Sequence, residues 1–510
     1  MHHLEAAAKP PCWENGRDPT GNIGDGFSAA SQNYGIMKNM RHNYADDVFT
    51  SVGRRHFVAG LGASAISMAA RPLAAAYSPV SGNIPYSGNA TGRKWYKGNT
   101  HMHTIRSDGD TFPIEAAALF KRDGYHFISF SDHNVSSAEP QKPIPVDSHK
   151  GKKISQEMRT NFGRDFPGLE LCRTVQDDKG RECYISASIE EIAKLLDEPG
   201  RFLTIGGNEV SAAPTAGKEL HCNFINYPKP CRAKNERTVT ECLDWIRDEY
   251  RRNVGDARTS IMTLNHPLWV SYDVQPHIIA ERPDIRFFEV CNSGSMPRFN
   301  LPGMEFTHDK WWDVVNTMRA IKGQPLIYGL ACDDIHGYTP MRKQTKRKAG
   351  YVQVLAKELT IPNIIEAFHR GDFYASTGLN LASVHFDRTT RTLSVEVDPS
   401  FGDDCRIEFI GSKKGVDTSV QEIVKWEIKG KPNKWLESRH FSMHRTVERY
   451  SDKIGSVFKT VKGRTASYTM QPDDLYVRAK VASPHNANTN NREPNFPIAW
   501  TQPISAKDML

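Results

Sequence analysis

The sequence predicts an α/β domain followed by a small all-β domain. Between Trp95 and about Thr377, short apolar runs alternate with amphipathic stretches that have helical spacing. Beyond Gly378 the pattern changes to period-two alternation, as in TLSVEV, RIEFIG and LYVRAKV, between turn residues. At 510 residues the chain is too long for one ordinary core. We therefore expect a leader over residues 1–76, an α/β domain over 77–378 and a β-sandwich over 379–510.

The leader has the features of an export signal. Arg54 and Arg55 precede a weakly apolar stretch from Phe57 to Ala70, and three alanines follow at 74–76. This order of charge, apolar stretch and small residues resembles a twin-arginine signal. We expect a periplasmic or secreted protein with the twin-arginine export machinery as a partner. The alternative is a flexible N-terminus that contains a chance Arg-Arg pair.

Composition and charge exclude several classes of protein. A hydrophobic content of 38% supports packed globular structure. The net charge is +7 and the basic residues are interspersed, so no nucleic-acid partner is expected. No apolar run approaches the roughly 18 residues of a membrane span, so we expect no stable membrane anchor. In an oxidising compartment, the expected disulfides are Cys172 with Cys183 and Cys222 with Cys231.

The elements of the α/β domain follow one another in strand and helix order. The predicted strands are YHFISFSDH, RFLTIGGNEV, HCNFINY, SIMTLNHP, IRFFEVCNSG and PLIYGLACDD. The predicted helices are PIEAAALFKRDG, SIEEIAKLLDEPG, VTECLDWIRDEYRR, WWDVVNTMRAIKG and IPNIIEAFHRG. This alternation indicates a parallel layout, in which functional groups gather at the carboxyl ends of the strands. Residues from about 135 to 187 interrupt the alternation and are predicted to be an insertion that covers or flanks the site.

Histidines and carboxylates recur near the ends of these strands. They are His101, His103, Asp108, Asp132, His133, Glu209, His221, His266, Asp334 and His336. Residues i and i+2 of a strand point to the same side, so His101 and His103 can aim at one pocket. Imidazole and carboxylate together suit Zn²⁺, Mn²⁺ or Fe²⁺. A single histidine such as His221 would more often be structural, but the ordered set predicts a metal site.

These motifs resemble the polymerase and histidinol phosphatase (PHP) superfamily of metallohydrolases. The resemblance covers about residues 95–340 and rests on H-x-H-T-x-x-S-D-G, S-D-H, N-E-V-S, a histidine 12 residues later, N-H-P and D-x-H. FYASTG at 373–378 and YVRAKVASP near the end resemble the carbaryl-hydrolase branch of that superfamily. The D-x-H motif is preceded by Cys332 and Asp333, where the family has a Gly-Ser pair.

The resemblance implies a distorted (β/α)7 barrel with up to three divalent transition metals, followed by an immunoglobulin-like sandwich. By position, one metal is held by His101, His103, Glu209 and Asp334, a second by Glu209, His221 and His266, and a third by Asp108, His133 and His336. Glu209, Asp334 and His266 are the expected catalytic residues. Closely spaced cations lower the pKa of a bound water to roughly 7, which supplies a hydroxide for attack on a phosphoester.

Residues outside the ligand set have more open interpretations. Arg106 and Trp269 are expected to bind a small anionic or ester substrate, although Trp269 can equally be packing. Asp132 and Asp333 are candidates to orient the ligand imidazoles, and a strand-end cap is the alternative for Asp333.

Other functions stay open at the level of the sequence. The same centre would suit a carboxyl or carbamate ester hydrolase, and a metal-stabilised barrel without catalysis is a second alternative. An amidohydrolase-type barrel also begins with H-x-H, but its usual metal-bridging lysine fits this chain poorly.

Overall fold

The structure is a computed structural model that describes residues 84–88, 91–136, 142–152, 154, 172–214, 219–227, 229, 231–232, 238–254, 257–268, 274–294, 308–338, 350–427, 444–485 and 497–507. The predicted leader, residues 1–76, and Trp269 lie outside these ranges.

The first part of the described chain contains strands and helices that alternate only in part, with runs of consecutive strands between residues 127 and 185 and between 203 and 225. They are, in order, β1 (Lys94–Asn99), α1 (Pro113–Arg122), β2 (Phe127–Ser129), β3 (Ile144–Pro145), β4 (Arg173–Gln176), β5 (Glu182–Ile185), α2 (Ile189–Leu196), β6 (Leu203–Ile205), β7 (Gly207–Ala212), β8 (Leu220–Ile225), α3 (Val239–Val254), β9 (Ile261–Leu264), α4 (Pro276–Ala280), β10 (Phe287–Asn292), α5 (His308–Ile321), β11 (Tyr328–Cys332), β12 (Tyr351–Ala356), α6 (Ile361–Arg370) and β13 (Phe373–Ser376). The five predicted helices are confirmed as α1, α2, α3, α5 and α6.

Local sequence explains where these helices begin and end. At the start of α2 the Ser188 hydroxyl accepts the Glu191 N–H, and the Glu191 carboxylate accepts the Ser188 N–H. Pro113 opens α1, and Gly371 ends α6 in the left-handed conformation with φ of 75°. Among the described helices, none combines the length and apolar character needed to span a bilayer.

Two sheets carry the α/β domain. In the first, with order β11-β10-β9-β8-β7, strands β9, β10 and β11 are parallel, while β8 is antiparallel to both of its neighbours. In the second, β1, β2 and β6 are parallel and β12 is antiparallel to β1. The predicted layout was parallel throughout. It differs at β12 and at β8, which is reversed because strands joined by a connection as short as that between β7 and β8 can pair only as antiparallel neighbours.

Isolated bridges bring the two sheets together at one end. Met102 pairs with Ile335 and His133 pairs with Glu209, both in parallel. The carboxyl ends of β1, β2 and β11 are therefore close to β7. The α/β class is confirmed by these elements, whereas the closed (β/α)7 barrel stays a prediction.

The C-terminal part is built from strands. They are β14 (Leu381–Asp387), β15 (Thr392–Val397), β16 (Arg406–Lys413), β17 (Glu422–Glu427), β18 (His444–Arg449), β19 (Ser456–Lys462), β20 (Thr465–Thr469), β21 (Asp474–Ala482), β22 (Ile498–Thr501) and β23 (Ile504–Ser505). Strand β22 pairs with β13, so β16, β19, β21 and β22 continue the sheet that contains β1. Strands β14, β15 and β20 form a separate sheet. Side chains of both sheets, such as Val395 and Phe409, share one apolar cluster. The immunoglobulin-like topology stays a prediction.

A buried ion pair joins the C-terminal strands to the α/β domain. Arg478 in β21 donates to the two carboxylate oxygens of Asp313 in α5 at 2.9 and 2.7 Å. Its guanidinium also lies 4.8 Å from the ring centroid of Trp312. Because a buried charge is costly unless it is paired, this contact requires β21 and α5 to stay together.

The predicted disulfides are wrong, because in the described structure no disulfide joins Cys172 to Cys183 or Cys222 to Cys231. Cys222 and Cys231 both belong to the apolar cluster around α3 and α5. Burial raises the pKa of both thiols, and that of Cys231 reaches about 12. Both thiols stay protonated in apolar surroundings, so they act as small hydrophobic side chains and not as reactive thiols.

Candidate metal centre

The nine predicted metal ligands lie together where β1, β2, β9 and β11 end beside β7 and β8. They come from the segment after β1 (His101, His103, Asp108), the segment after β2 (His133), β7 (Glu209), β8 (His221), the segment after β9 (His266) and the segment after β11 (Asp334, His336). The fold therefore gathers side chains from six places in the chain. Their role as metal ligands stays a prediction.

Glu209 lies at the middle of this cluster and is fully buried. Its Oε1 atom is 3.3 Å from His101 Nε2, 3.1 Å from His221 Nδ1 and 3.8 Å from His266 Nε2. Its Oε2 atom is 2.6 Å from His133 Nδ1. A carboxylate that faces imidazoles on both oxygens is placed to bridge two cations.

Asp334 faces the first two histidines of the chain. Its Oδ1 atom is 3.2 Å from His101 Nε2 and 3.1 Å from His103 Nε2. The two Nε2 atoms are themselves 3.1 Å apart. With Glu209, these side chains present two nitrogens and two carboxylates to one point, which is the group that the resemblance assigns to a first metal.

A second group forms around Asp108. Its Oδ1 atom is 3.3 Å from His336 Nε2, 3.7 Å from His133 Nε2 and 3.7 Å from His103 Nδ1. Ligand atoms of these four residues lie within 4.8 Å of one another. The group contains the three residues assigned to a third metal, with His103 beside them.

Two of the nine residues have unfavourable backbone conformations. His266 has φ of 22° and Asp334 has φ of 47°. Positive φ is uncommon for residues with a Cβ atom and is maintained only where surrounding contacts impose it. For His266, one such contact is the hydrogen bond that its backbone N–H donates to Glu289 Oε2 at 2.9 Å. The fold therefore sustains strain in order to place these two side chains.

The carboxylates of the cluster remain ionised despite their burial. Burial alone would raise the pKa of Glu209, but the nearby imidazoles, of which His133 has the largest effect, hold that pKa well below its usual range. Partial burial would lower the pKa of His133, but Glu209 and Asp108 raise it to about 9. Burial lowers the pKa of His103 to about 4, and the neighbouring His336 and His133 lower it further. The cluster thus holds negative charge that only protons or cations can balance.

Glu289 is a member of the site that the sequence analysis missed. It lies in β10, is 1% exposed, and its Oε1 atom is 2.6 Å from His101 Nδ1. The Cys332 thiol donates to the same oxygen at 3.1 Å. A carboxylate on Nδ1 sets the tautomer of an imidazole and leaves Nε2 free to bind a metal. The signal in the sequence was one charged residue, Glu289, inside the apolar run FFEVC.

The two candidate orienting aspartates have other contacts. Asp132 accepts hydrogen bonds from the backbone and hydroxyl groups of Thr104 and Ser107 instead of an imidazole. Asp333 accepts from Gly350 N at 3.0 Å and from Ser293 Oγ at 3.3 Å. These contacts favour the capping interpretation of Asp333.

Arg106, the predicted substrate ligand, lies beside the site and is held by protein groups. Its guanidinium donates to Ser136 O at 2.9 Å and to Ser186 Oγ at 3.3 Å. Substrate binding by Arg106 stays a prediction, and the structure adds a structural role for it.

The donor set of the cluster fits divalent transition metals. Imidazole nitrogens and carboxylate oxygens are the ligands that Zn²⁺, Mn²⁺ and Fe²⁺ share. In addition, His133 Nδ1 lies 2.6 Å from both the buried Oε2 atom of Glu209 and Ser211 Oγ, so one ring N–H cannot fully satisfy this carboxylate oxygen. A buried oxygen without a hydrogen bond is costly unless a cation occupies its place.

Comparisons with known proteins give only remote similarities. No protein-family model matches the chain, and no curated protein matches it. A two-domain protein from Bacteroides vulgatus that contains a predicted PHP-like metal-dependent phosphoesterase is 16% identical at a TM-score of 0.34, covering 79% of this chain and 94% of its own. A protein from Bifidobacterium adolescentis, assigned by prediction as a metal-dependent phosphoesterase, is 12% identical at a TM-score of 0.23, covering 48% of this chain and 89% of its own. Similarities this low do not bear on the activity of the chain.

Proposed function

We propose that the protein is a metal-dependent hydrolase that cleaves a phosphoester of a small anionic molecule. The observation that carries this proposal is the position of Glu209, a buried carboxylate that faces His101 and His221 on one oxygen and His133 on the other. Divalent cations bound in such a cluster, up to three Zn, Mn or Fe ions per chain, would activate a water and neutralise charge on the oxygens of the ester.

Residues of the chain would hold the cations and fix their position. Glu209 would be shared by two cations, while Asp334 and His266 follow β11 and β9, the strands on either side of β10, and their strained backbones fix their direction. Burial keeps His103 neutral at pH 7, since its pKa is about 4, and a neutral imidazole is the form that binds a metal. No nucleophilic serine or phosphate-binding glycine loop is needed for this chemistry.

A phosphoester is preferred over a carbonyl ester for a geometric reason. Two adjacent donor groups, one around Asp334 and one around Asp108, share His103, and cations held by both groups would face several oxygens of one substrate. A phosphoryl group offers several oxygens to such a centre, whereas a carbonyl offers one. Carboxyl or carbamate ester hydrolysis on the same centre is the second candidate, since a developing oxyanion needs the same neutralisation.

A substrate panel tests this proposal. Full-length protein reconstituted with Zn²⁺, Mn²⁺ or Fe²⁺ is assayed with phosphomonoesters, phosphodiesters, aryl esters and carbamates, with Glu209→Gln as the control. We expect turnover of one phosphoester class that a chelator abolishes. Turnover of esters or carbamates alone would favour the second candidate, and metal binding without any turnover would indicate a binding module. A folded protein that binds no metal would overturn the metallohydrolase proposal.

A further inference from the structure

The loop from Thr104 to Asp108 carries the most exposed carboxylate of the cluster. The Asp108 side chain is 31% exposed, whereas that of Glu209 is buried. Asp108 lies outside every strand and helix, so its position depends on the contacts of this loop. A ligand on a loop needs supporting contacts to hold a metal geometry.

Asp132 supports the loop from the interior of the protein. Its Oδ1 atom accepts the Thr104 N–H at 2.7 Å, the Ser107 N–H at 3.1 Å and the Ser107 hydroxyl at 2.7 Å. Its Oδ2 atom accepts the Thr104 hydroxyl at 2.8 Å. These bonds hold one side of the loop only.

Lys150, which belongs to the predicted insertion, supports the other side. Its ammonium donates to Ile105 O at 2.7 Å and to Ser107 O at 2.6 Å. Burial lowers the pKa of Lys150, while Asp108 and Asp132 oppose that shift. A cation donating to two carbonyls makes stronger hydrogen bonds than a neutral group would.

Arg106 connects the same loop to both ends of the insertion. Its guanidinium reaches Ser136 O at 2.9 Å, where the insertion begins, and Ser186 Oγ at 3.3 Å, where it ends. The loop and the insertion are therefore fastened to each other by two cations, one from each side.

We propose that Lys150, in the described part of the insertion, and Arg106 are positioning residues that hold Asp108 toward His133 and His336. This inference rests on the proposed function, because it assigns the third metal position to the Asp108 group. Loss of Lys150 would release the carbonyls of Ile105 and Ser107, so Asp108 would spend less time near His336, from which it is now 3.3 Å. Within the described residues, Lys150 donates to Ile105 and Ser107 and not to His101, His221 or His266. We therefore expect the metal positions that these three histidines share with Glu209 to keep their affinity.

Metal counting on the full-length protein tests this inference. Wild type, Lys150→Met and Lys150→Arg are equilibrated with buffered free Zn²⁺, and bound zinc is measured by elemental analysis. Lys152→Met is the matched control, because Lys152 is two residues away and exposed. We expect Lys150→Met to lower the affinity for the last zinc ion to bind about 10- to 100-fold, because losing the contacts that orient a metal ligand has this effect in other metal sites. The affinities for the zinc ions that bind earlier should be unchanged. Lys150→Arg should restore most of the affinity.

The outcomes separate the inference from the proposed function. Wild-type protein without zinc would overturn both, whereas wild type with zinc and an unchanged last equivalent in Lys150→Met would overturn the inference alone. Equal weakening of every equivalent would also overturn it, since that would indicate general damage. If circular dichroism shows that Lys150→Met does not fold, Arg106→Lys decides the question. This variant removes the guanidinium that donates to both Ser136 and Ser186. An unchanged affinity for the last zinc ion in this variant would contradict the proposal.

Discussion

At the scale of single residues, Glu289 is the side chain that orients the candidate ligands His101 and His266. Its two oxygens contact the His101 ring and the His266 backbone, so one carboxylate sets the direction of two candidate ligands. We predict that Glu289→Gln weakens zinc binding about 10- to 100-fold at the positions that use His101 and His266, because a neutral amide attracts the Nδ1 proton of His101 less than a carboxylate does. Zinc titration measures the effect. Glu281→Gln, an exposed carboxylate on the preceding turn, is the control. Wild-type affinity in Glu289→Gln would show that Glu289 does not orient these ligands.

At the scale of elements, the first turn of α1 contains a buried carboxyl that makes stability depend on pH. The Glu115 carboxylate accepts the Phe112 N–H at 3.2 Å and is 1% exposed. Burial raises its pKa from 4.5 to about 7, with a smaller contribution from Asp110. Because the folded state holds this proton more tightly than the unfolded state, the stability from neutral Glu115 is complete below pH 4.5 and is lost as the pH rises through 7.

The corresponding test is Glu115→Gln, which keeps an acceptor for Phe112 and removes the titration. We predict that the variant and the wild type have similar unfolding free energies at pH 4.5, and that at pH 8 the variant is more stable by on the order of 2–3 kcal/mol. Denaturant unfolding at both pH values measures the difference. Glu190→Gln, in the first turn of α2 and exposed, should show no such gain. Stability curves of wild type and Glu115→Gln that run parallel with pH would contradict the prediction.

At the scale of the whole molecule, the candidate site and the proposed export signal are connected. The nine candidate ligands span His101 to His336 and come together only in the folded chain, so metal binding requires folding. Export of an already folded protein would let metal be acquired in the cytoplasm. We predict that Arg54→Lys with Arg55→Lys leaves folded, metal-loaded, active protein in the cytoplasm, whereas Arg71→Lys, the control, is exported normally. Metal content and activity in cytoplasmic and periplasmic fractions measure this. Normal export of the double variant, or a metal-free cytoplasmic pool, would refute it.

Local periodicity in the sequence determined the helices and much of the candidate site. The apolar spacing of segments such as Val239–Val254 predicted helices that the structure confirms. The i, i+2 spacing of His101 and His103 predicted that both point to one place, and their Nε2 atoms are 3.1 Å apart. These properties depend on residues that are neighbours in the chain, so they can be read before the fold is known.

Only the tertiary structure decided the contacts between distant segments. The sequence analysis missed Glu289, because a carboxylate in an apolar strand has no local partner to reveal it, and its partner His101 is 188 residues away. It also did not show that β22 would extend the sheet of β1, or that Lys150 would reach the Asp108 loop. Each of these contacts joins residues whose separation along the chain carries no periodic signal. They are determined by which strands pair and where connections lead, because the energy of a buried polar contact depends on its partner and not on its neighbours in sequence.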